Sequence, residues 1–140
     1  MDFNFYNQII MKQKNWLLYL LTAVLGVLSI ILPVFFHAGL KHFESPVFTL
    51  IRIGIEGISM WSFAFLFSTG FVMRSFNKLP GWKIGLATMA LFPVIAIIEL
   101  TIFDSTSHNL LPIEFILYAI YTTPGIIGAY IGQGVQRFTQ

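Results

Sequence analysis

The run WLLYLLTAVLGVLSIILPVFF, from Trp16 to Phe36, decides the fold. It carries no charge, and a helix of that length, at about 1.5 Å per residue, crosses the roughly 30 Å hydrocarbon core of a bilayer. Lys12 and Lys14 precede it, as basic residues precede a secretory leader. The apolar run is longer than a leader's, however, and the chain continues His37-Ala38-Gly39 without a small-x-small cleavage pattern, so an uncleaved span is expected.

Outward from this stretch, three more runs have the same character. One covers about Ile53 to Met73 with Glu56 near its start, and a second covers Ile84 to Phe103 with Glu99 inside. The last covers about Leu111 to Ile131 and contains Glu114, Pro124 and several glycines. The connections are short and hold the helix breakers, as in Leu79-Pro80-Gly81, and short connections join antiparallel neighbours. The expectation is an all-α polytopic membrane protein, a four-transmembrane-helix antiparallel bundle forming one membrane domain over residues 1–140. Residues 1–15 would be a cytoplasmic N-terminal segment. Within it, Asp2 to Met11 is mildly apolar through Phe3, Phe5, Tyr6, Ile9 and Ile10, which suits a short helix along the interface.

Composition points the same way. Hydrophobic residues make up 56% and charged residues 10% of the chain, against about a quarter charged in an ordinary soluble domain. A soluble fold of 140 residues has one small core and cannot hide so much Phe, Leu and Ile from water. The lipid bilayer is therefore the first partner. The net charge of +2 comes from scattered basic residues, which argues against nucleic acid. Without cysteine, disulfides, thiol catalysis and Cys-type metal sites are excluded.

Four spans leave both ends on one side, and the basic residues name it. Lys12, Lys14, Arg74, Lys78, Lys83 and Arg137 collect on one side against Lys41 and Arg52 on the other, so the first side is expected to be cytoplasmic. Trp16 and Trp82 fit interfaces there, while Trp61 falls inside the second predicted span. The compact chain suits a bacterial inner membrane.

Acids and histidines gather at the opposite end. His37, His42 and Glu44 belong to the first outer connection, Asp104 and His108 to the second, and Glu56, Glu99 and Glu114 lie near the outer ends of their spans. Residues three or four apart share a helical face. Tyr19, Thr22, Gly26, Ser29, Pro33 and His37 form one such line, and Arg52, Glu56 and Ser59 a second. Gly85, Thr88, Phe92, Ala96 and Glu99 form a third, and Glu114, Tyr118, Tyr121, Gly125, Gly128 and Gly132 a fourth. Small and polar faces let membrane helices approach closely, so these lines are expected to face one another. His37, Glu56, Glu99 and Glu114 would then meet at the outer mouth with Arg52 nearby, as candidates for ion binding or transport. Carboxylates so placed need a cation, a proton or Arg52 for balance.

Each signal also has a plainer meaning. Arg52 and Glu56 have the i,i+4 spacing of an ordinary helix ion pair. Gly125, Gly128 and Gly132 are the pattern of helix packing, within the chain or between copies. His37, His42 and His108 with nearby acids suit a divalent metal, but their spacing matches no metal motif and loop histidines are ordinarily solvated. No cofactor is otherwise expected, and no catalytic residue is assigned because nucleophile-elbow, phosphate-loop and metalloprotease motifs are missing. The leading reading is a non-catalytic membrane subunit or accessory protein acting through helix–helix association, with itself as a homo-oligomer or with another membrane protein. Its alternative is a small oligomeric carrier or channel component for a cation or proton-coupled solute. A membrane-embedded hydrolase ranks third.

Overall fold

The structure, a computed structural model, describes residues 3–37, 55, 57–102 and 111–139. Most of the described residues are helical, with no strand among them, in α1 (Phe3–His37), α2 (Met60–Phe76), α3 (Gly81–Met89), α4 (Leu91–Ile102) and α5 (Leu111–Thr139). Three stretches of them are long and apolar enough to cross a membrane: Gln13–Phe36, Gly81–Ile98 and Pro112–Phe138. α5 packs against both α2 and α3, and α1 packs against the same two helices. α2 and α5 run parallel, Phe67 meeting Gly128 and Phe71 meeting Gly132, while α3 and α5 run antiparallel, Gly85 meeting Ile126 and Gly81 meeting Ala129.

The first helix differs from its expected form. Instead of a separate interfacial piece before the span, α1 is continuous from Phe3 over about 52 Å at 1.5 Å per residue. No proline or glycine interrupts residues 3–16, so a helix begun in the apolar run extends back through them without a breaker.

The second apolar run is interrupted near its start: Ile55 is helical, and the helix that follows, α2, begins at Met60. Gly57, Ile58 and Ser59 are not helical, and Ser59 becomes the N-cap: its carbonyl accepts from Phe63 N–H at 3.2 Å, and its own N–H donates to Ser62 Oγ at 3.3 Å. The helix then runs through Arg74 to Phe76. Asn77 closes it, with Nδ2 donating to Met73 O at 3.0 Å. At 17 residues, α2 measures about 26 Å. The shift explains Trp61, which sits in the first turn of α2 and is 57% exposed, at a helix end where amphipathic rings belong.

The third apolar run is divided in two. Pro93 has no N–H for the Met89 carbonyl, and its ring crowds that turn; the chain breaks at Ala90, whose N–H reaches back to Ala87 O instead. Pro124, by contrast, lies within α5 without ending it. Near it the Thr122 hydroxyl donates to Ala119 O at 2.6 Å, and not to the Ile120 carbonyl that Pro124 leaves without its i+4 N–H.

Two apolar layers fill the bundle. Near one end, Met73, Leu79, Ile84 and Ala129 pack with Leu18, Tyr19 and Leu25. Toward the other, Ile30, Leu66, Met89, Phe92, Ala96 and Tyr118 pack together, with Phe92 and Tyr118 ring centroids 6.0 Å apart. The first layer joins the early part of α1, the end of α2, the start of α3 and the late part of α5. Lys14, Arg74, Lys78, Lys83 and Arg137 thus belong to one end of the molecule, called here the basic end.

Candidate functional site

Glycine sets the distances between helices. A Cβ at Gly26 on α1 would fall on the Thr88 carbonyl oxygen of α3, and one at Gly70 on α2 would fall on the Gly125 carbonyl of α5. Gly128 and Gly132 meet the carbonyls of Phe67 and Phe71 on α2, and Gly85 meets the Ile126 backbone. At Gly26 and Gly128 the hydrogen standing in for a side chain points at a carbonyl oxygen, the arrangement of a Cα–H···O contact worth about 0.5–1 kcal/mol. Gly125 leaves room for the Thr88 side chain, whose Oγ1 would lie 2.8 Å from a Cβ there. Thr88, fully buried, is therefore held by α1 on its backbone side and by α5 on its side-chain side.

The hydroxyls of this interior are largely spent on their own helices. Thr22 donates to Leu18 O at 2.7 Å, Thr88 to Gly85 O at 2.7 Å, and Ser75 to Phe71 O at 2.8 Å. Ser29 donates to Leu25 O and also meets Thr69 Oγ1 of α2 at 3.0 Å, a hydrogen bond between helices. This polar line satisfies itself and stitches helices together. A groove of about 250 Å³ opens on the outside beside the Ala90–Pro93 break, lined by Met89, Pro93, Phe115, Tyr118 and Thr122 among others.

The ionisable candidates divide. Glu114 is half-buried in the first turn of α5, where the helix dipole favours a carboxylate. His37 ends α1, and Glu99 lies in α4 three residues beyond the buried Ala96; both belong to the end away from the basic residues, and their side chains lie outside the described groups. Arg52, Glu56, His42 and His108 lie outside the described residues. Among the described residues no group of three or more His, Cys, Asp or Glu converges in a way that would hold a metal ion.

A residue counted only toward topology has a different position. Arg74, in the last turn of α2, is 8% exposed. Its Nη1 donates to Asn77 O at 2.6 Å and to Gln136 Oε1 of α5, while its Nε is buried with no hydrogen-bond partner among the described residues. Its spacing agrees with burial, since Ser62, Leu66, Gly70 and Arg74 recur every four residues on the face that α2 buries, and Arg74 lies one residue past the expected end of the span at Met73. Comparison with protein-family models, curated proteins and solved structures found no match to this chain.

Proposed function

We propose that the chain is a small integral membrane protein whose helices cross the bilayer four times, with both ends cytoplasmic. It acts as a non-catalytic subunit or accessory protein through helix–helix association. The orientation follows from the basic end, where Lys14, Arg74, Lys78, Lys83 and Arg137 meet the cytoplasmic side by the positive-inside rule. A bacterial inner membrane suits it.

One observation carries the association reading: the interior is already committed. Gly26, Gly70, Gly125 and Gly128 are used where backbones touch, and the buried hydroxyls are bonded within the bundle. At these levels no room remains between α1 and α3, or between α2 and α5, for a solute to pass. The glycine series of α5 is spent inside the chain, so association falls to outer faces. The exposed line Trp61, Phe65, Val72 and Phe76 on α2 is such a face.

The carrier reading keeps one observation of its own: Glu114 is half-buried at the end to which His37 and Glu99 also belong. Glu99→Gln separates the two readings. We expect wild-type proteoliposomes to show no cation flux above protein-free vesicles, and Glu99→Gln to leave particle size unchanged from the wild type. Wild-type flux that Glu99→Gln abolishes without altering assembly would establish a carrier instead.

A further inference from the structure

The basic end contains a charge whose complement the described residues do not supply. A guanidinium stays ionised at any physiological pH, and burial is unfavourable unless an anion or a full set of acceptors replaces water. Arg74 is more than nine-tenths buried, yet among the described residues Nη1 donates to two neutral oxygens and the Nε–H meets no acceptor. The chain's acids are Asp2, Glu44, Glu56, Glu99, Asp104 and Glu114; of the two on described helices, Glu99 is on α4 and Glu114 in the first turn of α5, both away from the basic end. The charged residues that α1, the connection, α3 and α5 carry toward this end are cations: Lys12 and Lys14 on α1, Lys78 in the connection, Lys83 on α3 and Arg137, one residue past Gln136 on α5.

The level of this cluster identifies the anion. Trp16 and Trp82 are exposed at the same end, and Lys83 Nζ lies 5.3 Å from the centroid of the Trp82 ring. Indole rings of that kind mark the headgroup zone, where the abundant anion is the phosphate of a phospholipid. The Nε edge of an arginine offers the paired donors that match two oxygens of a phosphate.

We propose that Arg74 is the anchor of a stoichiometric site for the phosphate of an anionic phospholipid, drawn from the leaflet at the basic end, with the exposed cations Lys78 and Arg137 flanking it. The site goes beyond the association reading and stands whether or not the chain serves as a subunit. It depends only on the basic end lying in a bilayer interface.

The test uses the full chain, delipidated in dodecyl maltoside and titrated with phosphatidylglycerol, phosphatidylcholine or sodium phosphate. Thermal unfolding is followed together with native mass spectrometry. One phosphatidylglycerol is expected to remain bound and to raise the unfolding temperature, with phosphatidylcholine retained about tenfold less. Arg74→Lys, which keeps the charge but loses the fork, and Arg74→Gln should each weaken phosphatidylglycerol about tenfold. Lys78→Gln should change it less. Equal retention by Arg74→Lys and wild type would overturn the assignment, as would an equal response to phosphatidylcholine. A full response to inorganic phosphate would make the ligand a free ion rather than a lipid and sink the lipid claim. Loss of stability in Asp2→Asn, with no response to phosphatidylglycerol, would mean the charge is paired within the chain. If neither Arg74 variant folds, the wild-type contrast between the two lipids decides.

Discussion

Gly128→Ala is expected to destabilise the bundle by about 2–3 kcal/mol, whereas Gly134→Ala, further along the same helix, should stabilise it by up to about 1 kcal/mol. The two substitutions add the same methyl group to α5 and differ only in what it meets. At Gly128 the methyl lands on the Phe67 carbonyl of α2, while at Gly134 nothing lies within 4 Å. A Cβ has no rotamer with which to escape, so relief at Gly128 requires α2 and α5 to separate, and this is the most extensive interface in the molecule. Gly134 has no such neighbour, and alanine gains there the helix propensity that glycine lacks. Gly26→Ala should behave like Gly128→Ala, because its methyl would meet the Thr88 carbonyl of α3. The measurement is the unfolding midpoint in mixed micelles of dodecyl maltoside and sodium dodecyl sulfate. Equal midpoints for the Gly128 and Gly134 variants would show that backbone approach does not set the stability of the bundle.

The same close approaches explain how much of the fold is legible in the residues alone. Lines of small and polar side chains at helical spacing mark Thr22, Gly26 and Ser29 on α1 and Gly85 and Thr88 on α3, and all are buried. A helix face built from Gly, Ser and Thr has little to gain from lipid and much to gain from a neighbouring backbone, so the pattern has one economical meaning. The helix ends are less legible, because hydropathy averages over the groups that decide them. Ser59 and Asn77 set the limits of α2 by hydrogen bonding, and Pro93 divides α3 from α4 inside a run that is apolar throughout. The burial of Arg74 was hidden for a related reason. A charge at the end of an apolar run reads as the start of a connection, although its fourfold spacing from Gly70 and Leu66 places it on the packed face. Of the outer acids, Glu114 alone has a described side chain, and spacing along separate helices carries no information about the distance between them.

Val24→Asp is expected to cost about 3 kcal/mol of membrane insertion, the difference between an aliphatic residue and an aspartate at the middle of a span. Val24 lies near the centre of Gln13–Phe36 and is 44% exposed, on the side of α1 turned away from Gly26 and Ser29. In water such a position accepts a carboxylate with little effect, since surface substitutions usually stay within about 0.5 kcal/mol. In hydrocarbon, an aspartate there has two choices. It protonates, or it drags the helix toward an interface, since its short side chain cannot reach the headgroups from the centre. Ala23, one residue away but buried to 5% exposure, provides the contrast: Ala23→Ser places a hydroxyl where an i−4 carbonyl can receive it and should cost less than about 1 kcal/mol. An insertion assay with glycosylation tags on both sides of α1 reads the difference directly. Val24→Asp should shift the ratio of inserted to uninserted isolated span by more than tenfold, with Ala23→Ser close to wild type. Val24→Asp inserting as well as wild type, or yielding a chain that stays folded without detergent, would mean that water rather than lipid covers this face of α1.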